Sequence, residues 1–400
     1  MKKAYQAAPL LFVRAFASMV IIGILLFVCG CSAPTLPTIP KPVVSNHSDI
    51  FSAAVFYYDY SDAYIASVRS ELNRSLVILG IPYSEYDAAS SQSTQNNQIE
   101  TAIAGGAKLL IVNIVNSGSS DTSDAICLKA EKAGIPVIFF NRPIEADGDE
   151  GIILDYYHSV AFVGTDPAEA GHLQGEMIGE YLCEHFDEID INGDGQISYA
   201  MFKGEAKNAE AIYRTKYAVV DADLILKNHD HPPLYYFNPD TVDHFQLDLT
   251  GKWSLTSAQD YMMTNLSRFN EDSGNMIELV IANNDNMAEG AIRALQALGY
   301  NLPEERGSRI IPVFGVDATA SARQLIANGM MTGTVLQDSQ GMAGVVAHLA
   351  RNVSIGEDLL ADTEKFRHDE EHDLKNKLYI PYGIYDPNEN KAASMPETED

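Results

Sequence analysis

The sequence predicts an α/β protein of two Rossmann-like lobes, each a parallel sheet covered by helices on both faces. Three observations carry this. From Ile50 onward, short β-branched or aromatic runs alternate with amphipathic stretches whose apolar spacing is near 3.6. The strand runs are almost continuously apolar, the pattern of strands buried on both faces. At 400 residues the chain is too long for one ordinary core, and the βα units are too many for one open sheet.

Taken in order, Ile50–Tyr58 reads as a strand and Tyr64–Leu79 as a helix stopped by Gly80. Gln92–Ala104 reads as a helix, Lys108–Val115 as a strand, Asp121–Ala133 as a helix and Ile135–Asn141 as a strand. Val160–Asp166 is a strand, followed by helix Pro167–His185, opened by Asp166 and Pro167. After an acidic loop come strand Ile197–Lys203, helix Ala209–Val220, strand Leu234–Phe237 and, past a polar loop, helix Ser257–Asn265. Strand Ile277–Asn283, helix Met287–Leu298, strand Ile310–Asp317, helix Ser321–Asn328, strand Thr332–Gln337 and helix Gln340–Asn352 follow. Lys377–Tyr385 is a last strand or a crossing between lobes.

In open α/β sheets ligands bind beyond the carboxyl ends of the strands. Polar residues recur at those places: Tyr58 and Asp62, Asn141 and Arg142, Asn284, Asp317 and Gln337. The formal charge is −28, and residues 1–30 carry three basic and no acidic side chains. The remainder therefore holds 24 basic against 55 acidic residues, a surface that repels nucleic-acid phosphate.

Residues 1–30 read as an address. Lys2, Lys3 and Arg14 precede the apolar run Ala15–Val28, which is short of the roughly 20 residues that span a bilayer. The following Val28-Cys29-Gly30-Cys31 resembles a bacterial lipobox, which implies cleavage before Cys31 and lipid on its sulfur; an uncleaved anchor helix is the other reading. Either way the protein is extracytoplasmic, tethered to a membrane only through this anchor. Residues 31–48, with four prolines from Pro34 to Pro42, form an extended spacer. Cys127 and Cys183 are two buried thiols or a disulfide pair. No CxxC motif is present.

The run Asp190-Ile191-Asn192-Gly193-Asp194-Gly195-Gln196-Ile197-Ser198 matches the first nine positions of an EF-hand loop. Asp190, Asn192 and Asp194 would give side-chain oxygens to a structural Ca2+, Gln196 its carbonyl and Ser198 a hydroxyl or bridged water. Position twelve is Met201, so the bidentate carboxylate must come from elsewhere.

A pyranose asks for carboxylates, amides and guanidinium groups around its hydroxyls, and aromatic rings against its C–H faces. The single tryptophan, Trp253, lies in the polar segment GKWSLT, off any strand pattern, and is a stacking candidate. Tyr64 could supply the opposite ring.

The segments QNNQIETAIAGGAK, IPVIFFNR, FVGTD, DINGDGQI, KGEAKNAEAIYRT, IELVIANND, IPVFGVDA and GTVLQD, spread between about Ala54 and Asp386, resemble the bacterial galactose/glucose-binding proteins of the periplasmic binding class. The resemblance implies a three-strand hinge, with crossings near Gly164–Thr165, Gln337–Ser339 and Pro381. The lobes it implies are 49–164 with 339–379, and 165–338 with 380–388, leaving 389–400 as a tail. It implies sugar contacts from Tyr58, Asp62, Tyr64, Asn141, Arg142, Asn208, Glu210, Arg214, Trp253, Asn284, Asp317 and Gln337, and it supplies Glu278 as the remote calcium ligand. Three positions depart from the family pattern: Asn208 for a histidine, Glu210 for an aspartate, and Gln337 for an asparagine. Such shifts alter which epimer a hydrogen-bonded pocket prefers.

The resemblance implies a monomer that captures galactose or glucose and delivers it to an ABC permease or a chemoreceptor. A different monosaccharide is the alternative ligand. Sugar-responsive repressors share the core, but this chain has a lipobox and spacer where they carry a helix-turn-helix. A sugar hydrolase or isomerase would need a positioned acid/base pair, and no GxSxG, HExxH or Cys–His pattern accompanies Asp62, Asp317 and Glu210. Taken singly, Asn284 and Asp317 could be helix caps, and Asp62, Arg142 and Arg214 surface charges.

Overall fold

The computed structural model describes residues 51–146, 148–303 and 307–387; the address, spacer and tail, with Cys31, lie outside them. The first sheet is built from β1 (Ala53–Tyr57), β2 (Tyr83–Asp87), β3 (Leu109–Val112), β4 (Val137–Phe140) and β5 (Val160–Gly164). The second contains β6 (Ser198–Lys203), β7 (Tyr235–Tyr236), β8 (Gln246–Leu247), β9 (Leu279–Ala282), β10 (Val313–Asp317) and β11 (Gly333–Gln337). Two late strands, β12 (Arg367–Asp369) and β13 (Leu374–Tyr379), return to the first sheet, and β14 (Tyr382–Ile384) to the second.

The strand orders are β12-β13-β5-β4-β3-β1-β2 and β14-β11-β10-β9-β6-β7, with β8 also paired to β6. Pairing is parallel except β12 with β13 and β11 with β14. The central strands are wholly buried because helices cover both faces. These helices are α1 (Ala63–Ile78), α2 (Gln92–Ala104), α3 (Ser120–Ala133), α4 (Glu169–Ile189), α5 (Ala209–Asn228), α6 (Leu255–Leu266), α7 (Asp285–Ala297), α8 (Ala320–Ala327) and α9 (Ser339–Ser354).

The chain passes between the sheets after Gly164, after Gln337 and at Pro381, which joins β13 of one sheet to β14 of the other. The segment Lys377–Tyr385 is therefore both a strand and a crossing.

Several elements differ from the sequence reading. β2 has no apolar run, reading Tyr-Ser-Glu-Tyr-Asp, because it is a half-exposed edge strand. β12 occupies the other edge of that sheet. α4 starts at Glu169 without a side-chain cap and continues past His185, whose non-helical backbone kinks it, to Ile189. α5 runs eight residues beyond Val220, to Asn228. It lies close against α4 because Gly171 and Gly175 present no side chain: a Cβ at either would lie 2.6 Å from the carbonyl oxygen of Tyr213 or Tyr217. Cys127 and Cys183 are both free thiols, the first buried and the second partly so.

Candidate functional site

The carboxyl ends of both sheets face one cleft, and the loops there place the polar side chains. Asp62 caps α1: its Oδ1 accepts the Ile65 N–H at 2.8 Å, and its Oδ2 accepts the Tyr58 hydroxyl at 2.6 Å. Asn284 caps α7 and Asn208 caps α5. Asp317 caps nothing; Thr319 is the cap of α8. Asn141, Trp253 and Asp317 all have positive φ, at 62°, 54° and 120°. Strained backbone of this kind persists only where surrounding packing imposes it, and it turns these side chains out of the strand direction.

All twelve residues proposed from the sequence line one cavity: Tyr58, Asp62, Tyr64, Asn141, Arg142, Asn208, Glu210, Arg214, Trp253, Asn284, Asp317 and Gln337. Its atom-free space is about 400 Å³, part of it open to solvent. Tyr64 and Trp253 share this cavity, one contributed from each lobe. The Trp253 ring lies directly on Gly204, where an added Cβ would come within 2.1 Å of a ring carbon. Only glycine allows that approach.

Arg214 is the most constrained group. It donates to Glu210 Oε2 at 3.0 and 3.2 Å, to the Asn283 carbonyl at 2.8 Å, to the Tyr382 hydroxyl at 2.6 Å and to Gln337 Oε1 at 3.4 Å. Asp317 stands 4.0 Å from its Nη1. Burial works against its charge, but Tyr382, Glu210 and Asp317 outweigh that and hold its pKa above the ordinary value. Glu210 further accepts from Tyr382 at 2.8 Å and from the Thr165 hydroxyl.

Other groups at the cavity are less satisfied. Burial, reinforced by neighbouring Asp285, pushes the Asp317 carboxyl well above the carboxylate range, although Arg214 opposes it. Burial also raises Asp62, against the hydrogen bonds from Ile65 and Tyr58. Gln337 Nε2 is a buried donor with no hydrogen-bond partner. A buried unpaired donor costs about 1–3 kcal/mol, so a ligand acceptor placed there recovers that penalty.

Several contacts join the lobes, among them Arg367 of β12 with Asp166 at 3.0 Å and Glu169 at 2.9 Å. Arg142, held in its own lobe by the carbonyls of Ile114 and Val115 at 2.8 and 2.9 Å and stacked on Tyr58, pairs with Glu205 at 3.0 Å. Asn208 donates to the Ser117 hydroxyl at 3.0 Å. Lys252 meets Asp59 at 3.2 Å. Sequence reasoning missed Glu205, Lys252, Asp59, Tyr382 and Thr165. Glu205 sits beside the acidic loop in sequence and reads as support for it, yet its side chain reaches the opposite lobe.

At the loop preceding β6, Asp190 Oδ1 accepts from Gly193 and Asp194 N–H, and Oδ2 from Gly195 N–H, at 2.8 to 3.1 Å. Glu278 reaches it from the other side, accepting from Ile191 at 2.8 Å, Asn192 at 3.3 Å and Ser198 at 2.9 Å through their N–H groups. The oxygens of Asp190, Asn192, Asp194, Gln196 and Glu278 are all hard ligands, the chemistry a calcium ion takes, and these residues would hold it. The Ser198 hydroxyl is otherwise engaged: it donates to the Met276 carbonyl at 2.7 Å and accepts from Glu278 N–H at 3.2 Å. Among the described residues no three carboxylate, imidazole or thiol side chains converge tightly enough to hold an ion as they stand.

Two α/β lobes hinged by three strands and closed over a polar cavity define a ligand-binding protein of the kind that shuts around a small solute. Residues 53–358 match the periplasmic binding protein domain, and the chain belongs to that family. It is 33% identical over 330 residues to the D-galactose/methyl-galactoside binding periplasmic protein of Haemophilus influenzae, covering 82% of this chain and 87% of the relative. It is 26% identical over 290 residues to the D-xylose-binding periplasmic protein of Escherichia coli, covering 71% and 72%. A solved ABC transporter solute binding protein from Clostridium phytofermentans with bound β-D-glucose shares the fold, with a TM-score of 0.63, 20% identity and coverage of 86% and 96%. These are binding proteins, and so is this chain, rather than an enzyme. Family membership implies an extracytoplasmic location. Among the described residues no helix is long and apolar enough to cross a membrane.

Proposed function

We propose that this protein captures a hexose, D-galactose or D-glucose, and presents it to the permease of an ABC importer. The observation that carries the reading is a single cavity that combines Tyr64 and Trp253 with Asp62, Asp317, Asn284 and Arg214. The carboxyl oxygens of Asp62 and Asp317 accept hydrogen bonds that sugar hydroxyls donate, and Arg214 and the unpaired Gln337 amide donate to ring or hydroxyl oxygens. The two rings offer apolar faces to the C–H surfaces of the pyranose. The likeness to the galactose-binding relative, at 33% identity, supports a hexose over a pentose.

In this reading Asn208, Glu210 and Gln337 set the epimer preference. Glu210, with its longer reach, spends its carboxylate on Arg214, Tyr382 and Thr165, leaving less of it for a ligand. Calcium at the Asp190–Gln196 loop is structural, fixing the start of β6. Lipid on Cys31 tethers the body to a membrane; a Cys31→Ser chain that still incorporates labelled fatty acid would exclude that anchor. A chemoreceptor is a further acceptor for the closed form, and the protein acts as a monomer.

Titration calorimetry with galactose, glucose, xylose and arabinose tests the ligand class. Micromolar or tighter binding of one hexose, with pentoses weaker by roughly tenfold or more, is the expected result. Tighter binding of a pentose would sink the hexose reading.

A further inference from the structure

We infer that Tyr382, which does not line the cavity, is a positioning residue whose hydroxyl ties the hinge to Arg214, so that closing the lobes sets the arginine for the ligand. The tie rests on the cavity and the hinge; only the choice of probe rests on the hexose reading above.

The three crossings each send a side chain to one ion pair. Thr165 follows the first crossing, Gln337 precedes the second, and Tyr382 follows Pro381 at the third. The pair they meet is Glu210 and Arg214, one turn apart on α5 and joined at 3.0 Å. Thr165 donates its hydroxyl to Glu210 Oε1, and Tyr382 donates its own to Glu210 Oε2 at 2.8 Å. Arg214 Nη2 donates to the Tyr382 oxygen at 2.6 Å and to Gln337 Oε1 at 3.4 Å. Gln337 and Tyr382 are also register partners across β11 and β14.

Each hydroxyl carries one proton. With both given to Glu210, each carboxylate oxygen is held from the hinge, and the Tyr382 oxygen is left to accept from Arg214. Burial pushes the phenol well above its usual range, against the pull of Arg214, so it keeps that proton. Glu210, Arg214 and Gln337 line the cavity, whereas Thr165 and Tyr382 act through them. Domain closure rotates the backbone at the crossings. Glu210 and Arg214 ride on α5, and the Asn283 carbonyl holds Arg214 at 2.8 Å within the second lobe. Rotation at the crossings therefore shifts Thr165, Gln337 and Tyr382 against the pair, and the network is complete only in this arrangement. A ligand that needs Arg214 in this pose then favours the closed form.

Trp253 reports on the arginine, whose guanidinium lies 5.6 Å from the centroid of its ring and 5.6 Å from that of Tyr382. Tyr382→Phe, in the full chain, removes the hydroxyl and keeps the ring. Val335→Ala is the control, since Val335 packs in the same apolar cluster, with Ala170 and Val316, but has no part in the network. Thermal melts establish that each folds; should Tyr382→Phe not fold, Thr165→Val, which takes the other hydroxyl from Glu210, is read in its place. Without ligand, Tyr382→Phe should shift the Trp253 emission and Val335→Ala should not. In calorimetry with D-galactose and D-glucose, Tyr382→Phe should weaken binding roughly tenfold or more, while Val335→Ala stays within about twofold. At saturating hexose, solution scattering should show Tyr382→Phe less compact than the natural chain. Affinity of Tyr382→Phe within about twofold of the natural chain overturns the inference, as does an equal loss in both variants, which packing alone would give. If the natural chain binds neither hexose, the hexose reading falls and the emission comparison decides alone: a shift confined to Tyr382→Phe upholds the tie to Arg214, and its absence overturns it.

Discussion

The closest packing at the cavity is Trp253 on Gly204, and a single methyl group tests it. In Gly204→Ala the new Cβ would stand 2.1, 2.2 and 2.6 Å from three ring carbons. Ordinary carbon contacts are about 3.5 Å, so the ring has to retreat by about 1.4 Å or the strand end has to yield. Gly204 is also fixed from behind, since its N–H donates to Asn283 Oδ1 at 3.2 Å. Overpacking of this kind costs about 1–3 kcal/mol, equivalent to about a 5-fold to 150-fold loss if it falls on the closed, liganded state. Without the clash the sign would reverse, because alanine restricts the unfolded chain and stabilises by about 0.4–1 kcal/mol. Trp253 is the only tryptophan, so its emission reports on the cavity alone. The variant should shift the emission of the free protein and weaken hexose binding in calorimetry. Unchanged emission together with affinity within about twofold of the natural chain would refute both the stacking geometry and the part given to Trp253.

Three further outcomes follow from particular contacts. Chelating calcium should lower the melting temperature, since an ion held only by the folded form at a hundredfold excess over its Kd contributes about 2.7 kcal/mol; in Glu278→Gln the chelator should have little further effect, and an equal drop in both chains would remove Glu278 from the site. Hydrogen bonds from Ser61, Ser90 and Lys252 overcome the opposing effect of burial and hold Asp59 at about 2, below its ordinary 3.8. Its folded pKa is depressed, so its contribution to stability is present above about 3.8 and lost as pH falls through about 2. The urea midpoint of the natural chain should therefore exceed that of Asp59→Asn at about pH 5 and converge with it near pH 2, and a constant gap would be inconsistent with this. Glu205→Gln removes the charge that Arg142 meets across the cleft, which should cost about 1–3 kcal/mol of closure and enlarge the unliganded protein in solution scattering; identical scattering profiles and affinities would show that the pair does not hold the lobes together.

The positions of the site residues were readable because they obey a local rule. Tyr58, Asn141 and Asn284 follow, and Asp317 and Gln337 end, strands whose apolar runs are plain in the sequence, and a parallel α/β sheet presents its binding groups there. Asn208, Glu210 and Arg214, by contrast, were placed by the family resemblance. Tyr58, Asn141, Asn284 and Asp317 needed nothing more than that periodicity to be singled out. Edge elements were harder. Tyr83–Asp87 buries little, so selection imposes no apolar pattern on it, and Arg367–Asp369 has only three residues. Glu205 and Tyr382 were illegible for another reason. Glu205 acts on Arg142, 63 positions away, and Tyr382 on Arg214, 168 positions away; no spacing along the chain encodes such pairs.

By itself, then, the sequence determined the alternation of strands and helices, the two-lobed class, and which polar side chains stand at the ends of strands. These depend on short-range periodicity and on residue chemistry. The tertiary structure decided that those side chains from two lobes enclose one volume, and that Arg142 and Glu205 bind the lobes across it. Those features arise only when distant segments are brought within hydrogen-bonding distance, because the energies concerned depend on separation and burial in space rather than on order in the chain.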